Sequence, residues 1–463
     1  MRRALVVALA TVAALAMGCG GDDDEGGGGG EGVRGQTITV WSGMFEPDRL
    51  KATEDILADF TQKTGVKTKL VPLPEDQVAT LITNSAAAGE LPDVLMAIST
   101  ADSHTYAAQG VFDGEAAQAV IDKLGPDTFS EKAIELVSQD GVATGVPVSG
   151  WGQLLIYRSD LFDEAGLEAP ETLEDIRAAA EQLNEDDRVG ITLATAPKDA
   201  FTEQSFEYVA LAMGCQLVDD SGKVTFDSPE CADALSYYAD LANNFSVQGN
   251  QDVDSTRGTY FAGRAAMMIW SPFLLDGMAG LRDDTRPSCP QCKKDRGFLA
   301  KNSGLVGPIA GPSGEPSQYG DVATFNITTD ANTEASQALL EFMMNEGYTR
   351  WLAISPQGQY PVRLGDKQDP EKFADAWAEL ESGVDRKAPL SKFYSEESIA
   401  SLGEGVENFQ RWGFPQGQGA LLGALGAERP IAEAVVSVIG GDDPAEAAGA
   451  AQARIEEIQA DIE

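Results

Sequence analysis

Between Thr37 and Val71 the hydrophobic period changes from two to about 3.6 and back to two, and no other feature restricts the fold so closely. Thr37 to Trp41 alternates around Ile38 and Val40. From Pro47 to Thr64, Leu50, Ile56, Leu57 and Phe60 share one helical face that stops at Gly65, and Val66 to Val71 alternates again. Strand, helix and strand in that order are a βαβ unit. Val78, Leu81 and Ile82 predict another helix. The apolar run Asp93 to Ile98 predicts a strand buried on both faces, as parallel sheets require. The fold class is therefore α/β.

The pattern resumes at Val146. Leu154 to Tyr157 reads as a strand, and Thr172 with Asp175 forms a capping pattern that opens a helix through Leu183. Ile191 to Ala194, a helix around Tyr208 to Met213, and the strand Met267 to Trp270 continue the second block. Residues 283–318 hold Pro287, Pro290, Pro308, Pro312 and Pro316 ahead of a strand at Val322 to Ile327, which suggests a return crossing. No repeat of solenoid period is present. With 463 residues there is material for two or three well-buried domains.

Composition removes several classes of function. A formal charge of -41 repels nucleic acid and anionic lipid headgroups, so no nucleic-acid partner is expected. A single histidine, His104, leaves no zinc site built on several imidazoles and no choice of relay histidine, and neither a metal nor a cofactor is called for. The Gly-x-Ser-x-Gly elbow of serine hydrolases is absent. Gly417 to Gly423 misses the dinucleotide-binding spacing by one residue and reads as the start of a helix.

Arg2 and Arg3, an apolar run from Ala4 to Met17, and Gly18-Cys19 follow the plan of an export signal over residues 1–18. Ala16-Met17-Gly18-Cys19 resembles the lipobox of bacterial lipoproteins, with Ala16 where Leu is usual, which implies acylation of Cys19. Residues 19–35, rich in Gly and Asp, cannot bury enough to offset their ordering entropy and read as a flexible tether. The expected location is extracytoplasmic, at the outer face of the cytoplasmic membrane, held by the N-terminal lipid only. Of the remaining cysteines, Cys215 and Cys231 flank a hairpin-like stretch, and Cys289 and Cys292 bracket Pro290-Gln291. Four cysteines permit three pairings; these two neighbouring pairs are the expected disulfides, with a redox or zinc pair the rival for Cys289 and Cys292.

Four segments together resemble the family 1 extracellular solute-binding proteins, lipid-anchored receptors of ABC importers that mostly serve sugars. They are Leu91-Pro92-Asp93-Val94 with Ala107-Ala108-Gln109-Gly110; Gly145-Val146-Pro147 leading to Leu155 through Phe162; Tyr260 through Met267; and Gly358-Gln359-Tyr360-Pro361-Val362-Arg363. The resemblance implies the two-lobed periplasmic-binding-protein fold, each lobe a doubly wound sheet with helices on both faces, joined by hinge crossings. Lobe 1 would take residues 36–148, lobe 2 residues 149–320, a lobe 1 return 321–360, and a lobe 2 return with C-terminal helices 361–463. It further implies a monomer that holds a small solute between the lobes and passes it to ABC transporter permease subunits.

A sugar offers apolar C–H faces and a fringe of hydroxyls, so a receptor for one needs aromatic rings and polar side chains. Trp270, Trp151 and Trp412 are the candidate rings; Trp351 and Trp377 fall within helices and read as packing. Ser42 and Glu46 follow the first strand, Thr100 and Asp102 follow the buried strand, and Tyr360 with Arg363 stand near the last expected crossing. Glu203 and Asp321 complete the candidate set, which contains no catalytic residue. Two other classes remain open: a secreted glycoside hydrolase, for which no two carboxylates stand out, and a receptor for a cationic solute such as a polyamine, which the acidic balance would suit.

Overall fold

The computed structural model describes residues 32–74, 77–312 and 314–462, so the expected signal 1–18, Cys19 and most of the tether lie outside the described residues. Two mixed sheets, each covered by helices, form two lobes. The first is built on β1 (Thr37–Ser42), β2 (Lys67–Pro72), β3 (Val94–Ile98) and β4 (Val146–Gly152). The second holds β5 (Leu154–Tyr157), β6 (Val189–Thr192), β7 (Ala265–Trp270) and β8 (Gly304–Val306). The long strand β9 (Pro316–Ile327) and the short β10 (Tyr360–Pro361) return to the first sheet, whose order is β10-β4-β9-β3-β1-β2; the second runs β8-β5-β7-β6.

Local chemistry sets the elements. Helix α1 (Pro47–Thr64) starts on Pro47, carries Asp48 in its first turn, and ends where Gly65 takes φ 77°, while Ile56, Leu57 and Phe60 enter the core. In the second lobe, α2 (Ala200–Met213) packs on α3 (Pro229–Phe245), where Ser228 accepts a hydrogen bond from the Cys231 amide. Cys215 is bonded to Cys231 and Cys289 to Cys292, the expected pairs.

The sheets are not purely parallel. β1 runs parallel to β2 and β3, but β9 is antiparallel to both β3 and β4. The reason is topological: β9 arrives from the second lobe and so enters the first sheet from the edge at which β3 leaves it. In the second sheet β5 is likewise antiparallel to β7.

Three crossings join the lobes among the described residues, and they lie side by side. The first passes from β4 to β5 through Gln153, whose amide donates to the Tyr319 carbonyl at 2.9 Å. The second is the opening half of β9. The third follows helix α4 (Glu396–Asn408) and is β11 (Phe409–Gln410), which pairs with Gln318 and Tyr319. This differs from the expected return at residue 361. Tyr360 and Pro361 pair with β4 and α4 packs on β4, β9 and β8, so the chain does not make its third crossing until Phe409.

Glycines make the hinge tight. A Cβ on Gly320 would fall 2.0 Å from the Phe409 ring, and one on Gly152 would fall 2.8 Å from it, so the ring sits in a cradle where only hydrogen fits. Beside this hinge, Tyr394 donates to the Leu275 carbonyl at 2.8 Å and Arg386 pairs with Asp283 at 3.0 Å. The C-terminal helices α5 (Gly419–Leu425), α6 (Pro430–Ile439) and α7 (Pro444–Ile462) complete the second lobe, and Leu421, Val435 and Ile455 share its core with Phe206 and Tyr238. Helix α5 also crosses to the first lobe: Gly423 lies so close to Thr105 and Ala101 that a Cβ would overlap the Thr105 hydroxyl.

Candidate functional site

Strands β1 and β3 end at the junction of the lobes, and Gly43 after β1 with Ala97, Ile98 and Ser99 at the end of β3 forms one wall of a cleft. Two connected cavities occupy it, about 690 Å³ and about 320 Å³, sharing Gly43, Ala97, Ser99, Gln204 and Asp321. Together they lie in the range of small-molecule sites, in the crevice beyond strand ends where open α/β sheets hold ligands. Ala97 and Arg429, both at the cleft, take φ 60° and φ 53°, a left-handed backbone that costs energy for residues with a Cβ and occurs often at functional sites.

The larger cavity is aromatic. Trp151 ends the first lobe's contribution, 6.2 Å edge-on from Phe273 and 5.8 Å from Tyr319, while Trp270 leans on Phe201 at 4.5 Å. Glu46 pairs with Arg49 at 3.5 Å, and Asp276 with Arg282 at 3.8 Å. Burial pushes the Asp276 carboxyl up to about 6, with Arg282 pulling the other way.

The smaller cavity is charged. Glu207 on α2 accepts hydrogen bonds from Arg411 Nε at 3.2 Å and from the Trp412 amide at 3.0 Å. Arg411 also reaches Asp321 at 3.3 Å, and its guanidinium lies 4.5 Å over the Tyr319 ring. A cation on the third crossing is thus shared between carboxylates of the second lobe and the second crossing. Burial raises the Glu207 carboxyl, against Arg411. Burial also pushes Glu203 up to about 7, against the Arg429 guanidinium 2.8 Å away.

Of the expected residues, Glu46, Trp151 and Trp270 line the larger cavity, Asp102 and Glu203 the smaller, and Asp321 both. Asp102 is held by the Ser99 hydroxyl, which donates to it at 2.8 Å. The other five are engaged within the protein. Ser42 is fully buried and its hydroxyl accepts from the Met44 amide. Thr100 is spent on β9, donating to the Val322 carbonyl at 2.7 Å. Tyr360 packs edge-on against Trp377 at 4.9 Å. Arg363 is buried between Phe129 and Phe373 and donates to Thr128, Asn345 and the Met344 carbonyl, so its cation holds the first lobe together. Trp412 borders the smaller cavity, with its indole donating to the Cys215 carbonyl at 2.8 Å and its ring packed edge-on with Phe206 and Phe226 in the second lobe's core. His104 is buried, its ring lowered in pKa by burial and 5.0 Å from Phe414.

Sequence reasoning missed Gln153, Gln204, Glu207, Phe273, Tyr319, Gln359, Arg411 and Arg429. A signal existed for some: Gln153 follows Trp151 by two, the period at which strand side chains share a face. Arg411 precedes Trp412 at what proves to be the third crossing. Among the described residues no helix is long and apolar enough to cross a membrane.

Comparison with known proteins places this geometry among relatives. Residues 46–350 match the family described as bacterial extracellular solute-binding protein. A putative ABC transporter periplasmic-binding protein, YcjN of Escherichia coli (strain K12), is 30% identical over 330 residues, 68% of this chain and 71% of that one. The GacH receptor of Streptomyces glaucescens GLA.O, solved unliganded and with acarbose, superposes with TM-score 0.70 at 18% identity, covering 92% of this chain and 99% of its own. The sugar-binding protein MalE from Xanthomonas citri gives TM-score 0.70 at 17% identity over 92% and 98% of the two chains.

Proposed function

The chain belongs to the bacterial extracellular solute-binding proteins, a transport family, and on that ground we propose that it captures a mono- or oligosaccharide between its lobes and delivers it to ABC transporter permease subunits. The observation that carries the reading is the larger cavity, where Trp151, Phe273, Trp270 and Phe201 stand among amide and hydroxyl groups. Aromatic faces match the C–H faces of a pyranose, and the polar set matches its hydroxyls. Three adjacent crossings allow the lobes to move as bodies, so occupancy can set a shape that a permease reads. GacH, whose structure was solved with acarbose, and a protein from Arthrobacter chlorophenolicus A6, solved with laminaribiose, share the fold and support a saccharide.

The protein acts at the outer face of the cytoplasmic membrane, as a monomer tethered through acylated Cys19. Two chains hold a protein to a membrane firmly where one does so marginally, so Cys19→Ser should release it into the soluble fraction. The deciding experiment is calorimetry of the purified protein against maltose, laminaribiose, an arabino-oligosaccharide and spermidine at low and high salt. A saccharide should bind without being cleaved and with little salt dependence. Binding of spermidine alone, weakening as salt rises, would favour the cationic solute; release of reducing ends would favour a hydrolase.

A further inference from the structure

The side chains of Gln153 and Gln359 are 0% and 1% exposed, yet neither the nitrogen nor the oxygen of either amide has a hydrogen-bond partner among the described residues. Both line the larger cavity. Buried amides are nearly always satisfied, because leaving one dry costs the hydration it gave up. We propose that these two glutamines form the specificity-determining subsite of the cleft, and that it takes an uncharged ring bearing adjacent hydroxyls. The inference rests on the solute-binding reading above and narrows it.

The charges around them are the reason for an uncharged ligand. Glu46 pairs with Arg49, Asp276 with Arg282, Arg257 with Asp254, and Asp321 with Arg411. Asp199 accepts from the Phe201 amide at 3.1 Å as the cap of α2. Each ionised side chain of this cavity therefore has a counter-charge or a backbone donor from the protein itself; Glu46 Oε2 is buried without a hydrogen bond but lies 3.5 Å from the Arg49 cation, and the other unpartnered side-chain groups of the lining are the two neutral amides. An amide presents two N–H donors and one carbonyl acceptor. A carboxylate would satisfy only the donors and an ammonium only the acceptors, whereas a vicinal pair of hydroxyls can accept from one group and donate to the other. Trp151, two residues before Gln153, brings an aromatic ring to the same cavity.

Gln153 also stands on the first crossing. Its backbone amide donates to Tyr319 and its carbonyl accepts from Gln318 Nε2 at 3.0 Å, both on the second crossing. A solute held by its side chain is held by a hinge residue, which ties occupancy to the relation between the lobes.

The test uses Gln153→Met and Gln359→Met, each close in shape and without the amide, in the full mature protein, with maltose, laminaribiose, an arabino-oligosaccharide and spermidine as probes. Melting temperature without ligand should hold or rise in both variants, because an unpartnered polar group is removed. Affinity for the saccharide that binds the parent protein should fall about tenfold or more in each. A clear drop in the unliganded melting temperature of both variants would show that the amides serve the fold, and would overturn the inference. Unchanged saccharide affinity in both would overturn it too, while leaving the proposed function standing. A parent protein that binds spermidine and no saccharide would overturn both.

Discussion

Substituting Gly320 by Ala tests the hinge directly. Gly320 does not have positive φ, so on backbone grounds alone Ala should stabilise the protein by about 0.4 to 1 kcal/mol through the unfolded chain. The structure reverses that sign. The new methyl would lie 2.0, 2.2 and 2.4 Å from three carbons of the Phe409 ring. Carbon atoms rest at roughly 3.5 to 4.0 Å, so the ring must retreat by about 1.5 Å. It cannot retreat freely, since Gly150 and Gly152 hold it from the neighbouring strand and Phe409 pairs with Gln318. Overpacking of this kind costs about 1 to 3 kcal/mol. Urea unfolding of Gly320→Ala, Phe409→Leu and the double variant should show the first losing stability and the pair coupling by about 0.5 to 3 kcal/mol. A Gly320→Ala protein more stable than its parent, or an uncoupled double variant, would refute the cradle.

Gly423→Val should hold the lobes apart, because a Cβ there overlaps the Thr105 hydroxyl; small-angle scattering should report a larger radius in the presence of solute than for the parent. Trp270→Ala should cost about 3 kcal/mol or more without ligand, since the ring is 6% exposed and packs on Phe201, and an unchanged melting temperature would show that it does not pack so. Glu203 titrates near 7 in the folded protein against an ordinary 4.5, so the fold binds more protons across that window and stability should decline as pH rises through it, then level off; Glu203→Gln should flatten the decline in urea midpoints measured from pH 4.5 to 7.5. Opening the Cys215–Cys231 loop by a double Ser substitution should cost about 3 kcal/mol.

What could be read without coordinates was local or periodic. Pro47 starts α1 through its fixed φ, while Gly65 ends it, Thr172 caps the helix Leu173–Gln182 and Ser228 caps α3, each of these three through a bond to a residue three or four away. The cysteine pairs also close over short separations. What escaped depends on distant partners. Arg363 has the composition of a ligand contact, and only the arrival of Phe129, Phe373 and Met344 around it shows that its cation is used internally. Trp412 is likewise claimed by Phe206, Phe226 and Cys215, some two hundred residues earlier. The third crossing lay hidden because 361–408 has no long periodic element before α4. Gln153 and Gln359 were passed over because an amide carries no pattern; their significance lies in lacking partners.

The interleaving of the lobes also bears on how the chain can come to be folded. The second lobe begins at Gln153 but needs Leu421, Ile431, Val435 and Ile455 to cover α2 and α3. The first lobe needs β9 and then the stretch up to Phe409. During synthesis, therefore, the first core cannot be sealed before Phe409 has been made nor the second before Ile455, and the apolar faces of α2 and α3 wait for more than 170 residues until Leu421 arrives. A chain stopped at Asn408 would carry an unfinished lobe with those faces uncovered, prey to proteolysis and self-association, whereas a break in the exposed turn after α6, at Gly441-Asp442, would cut only between two helices already able to dock.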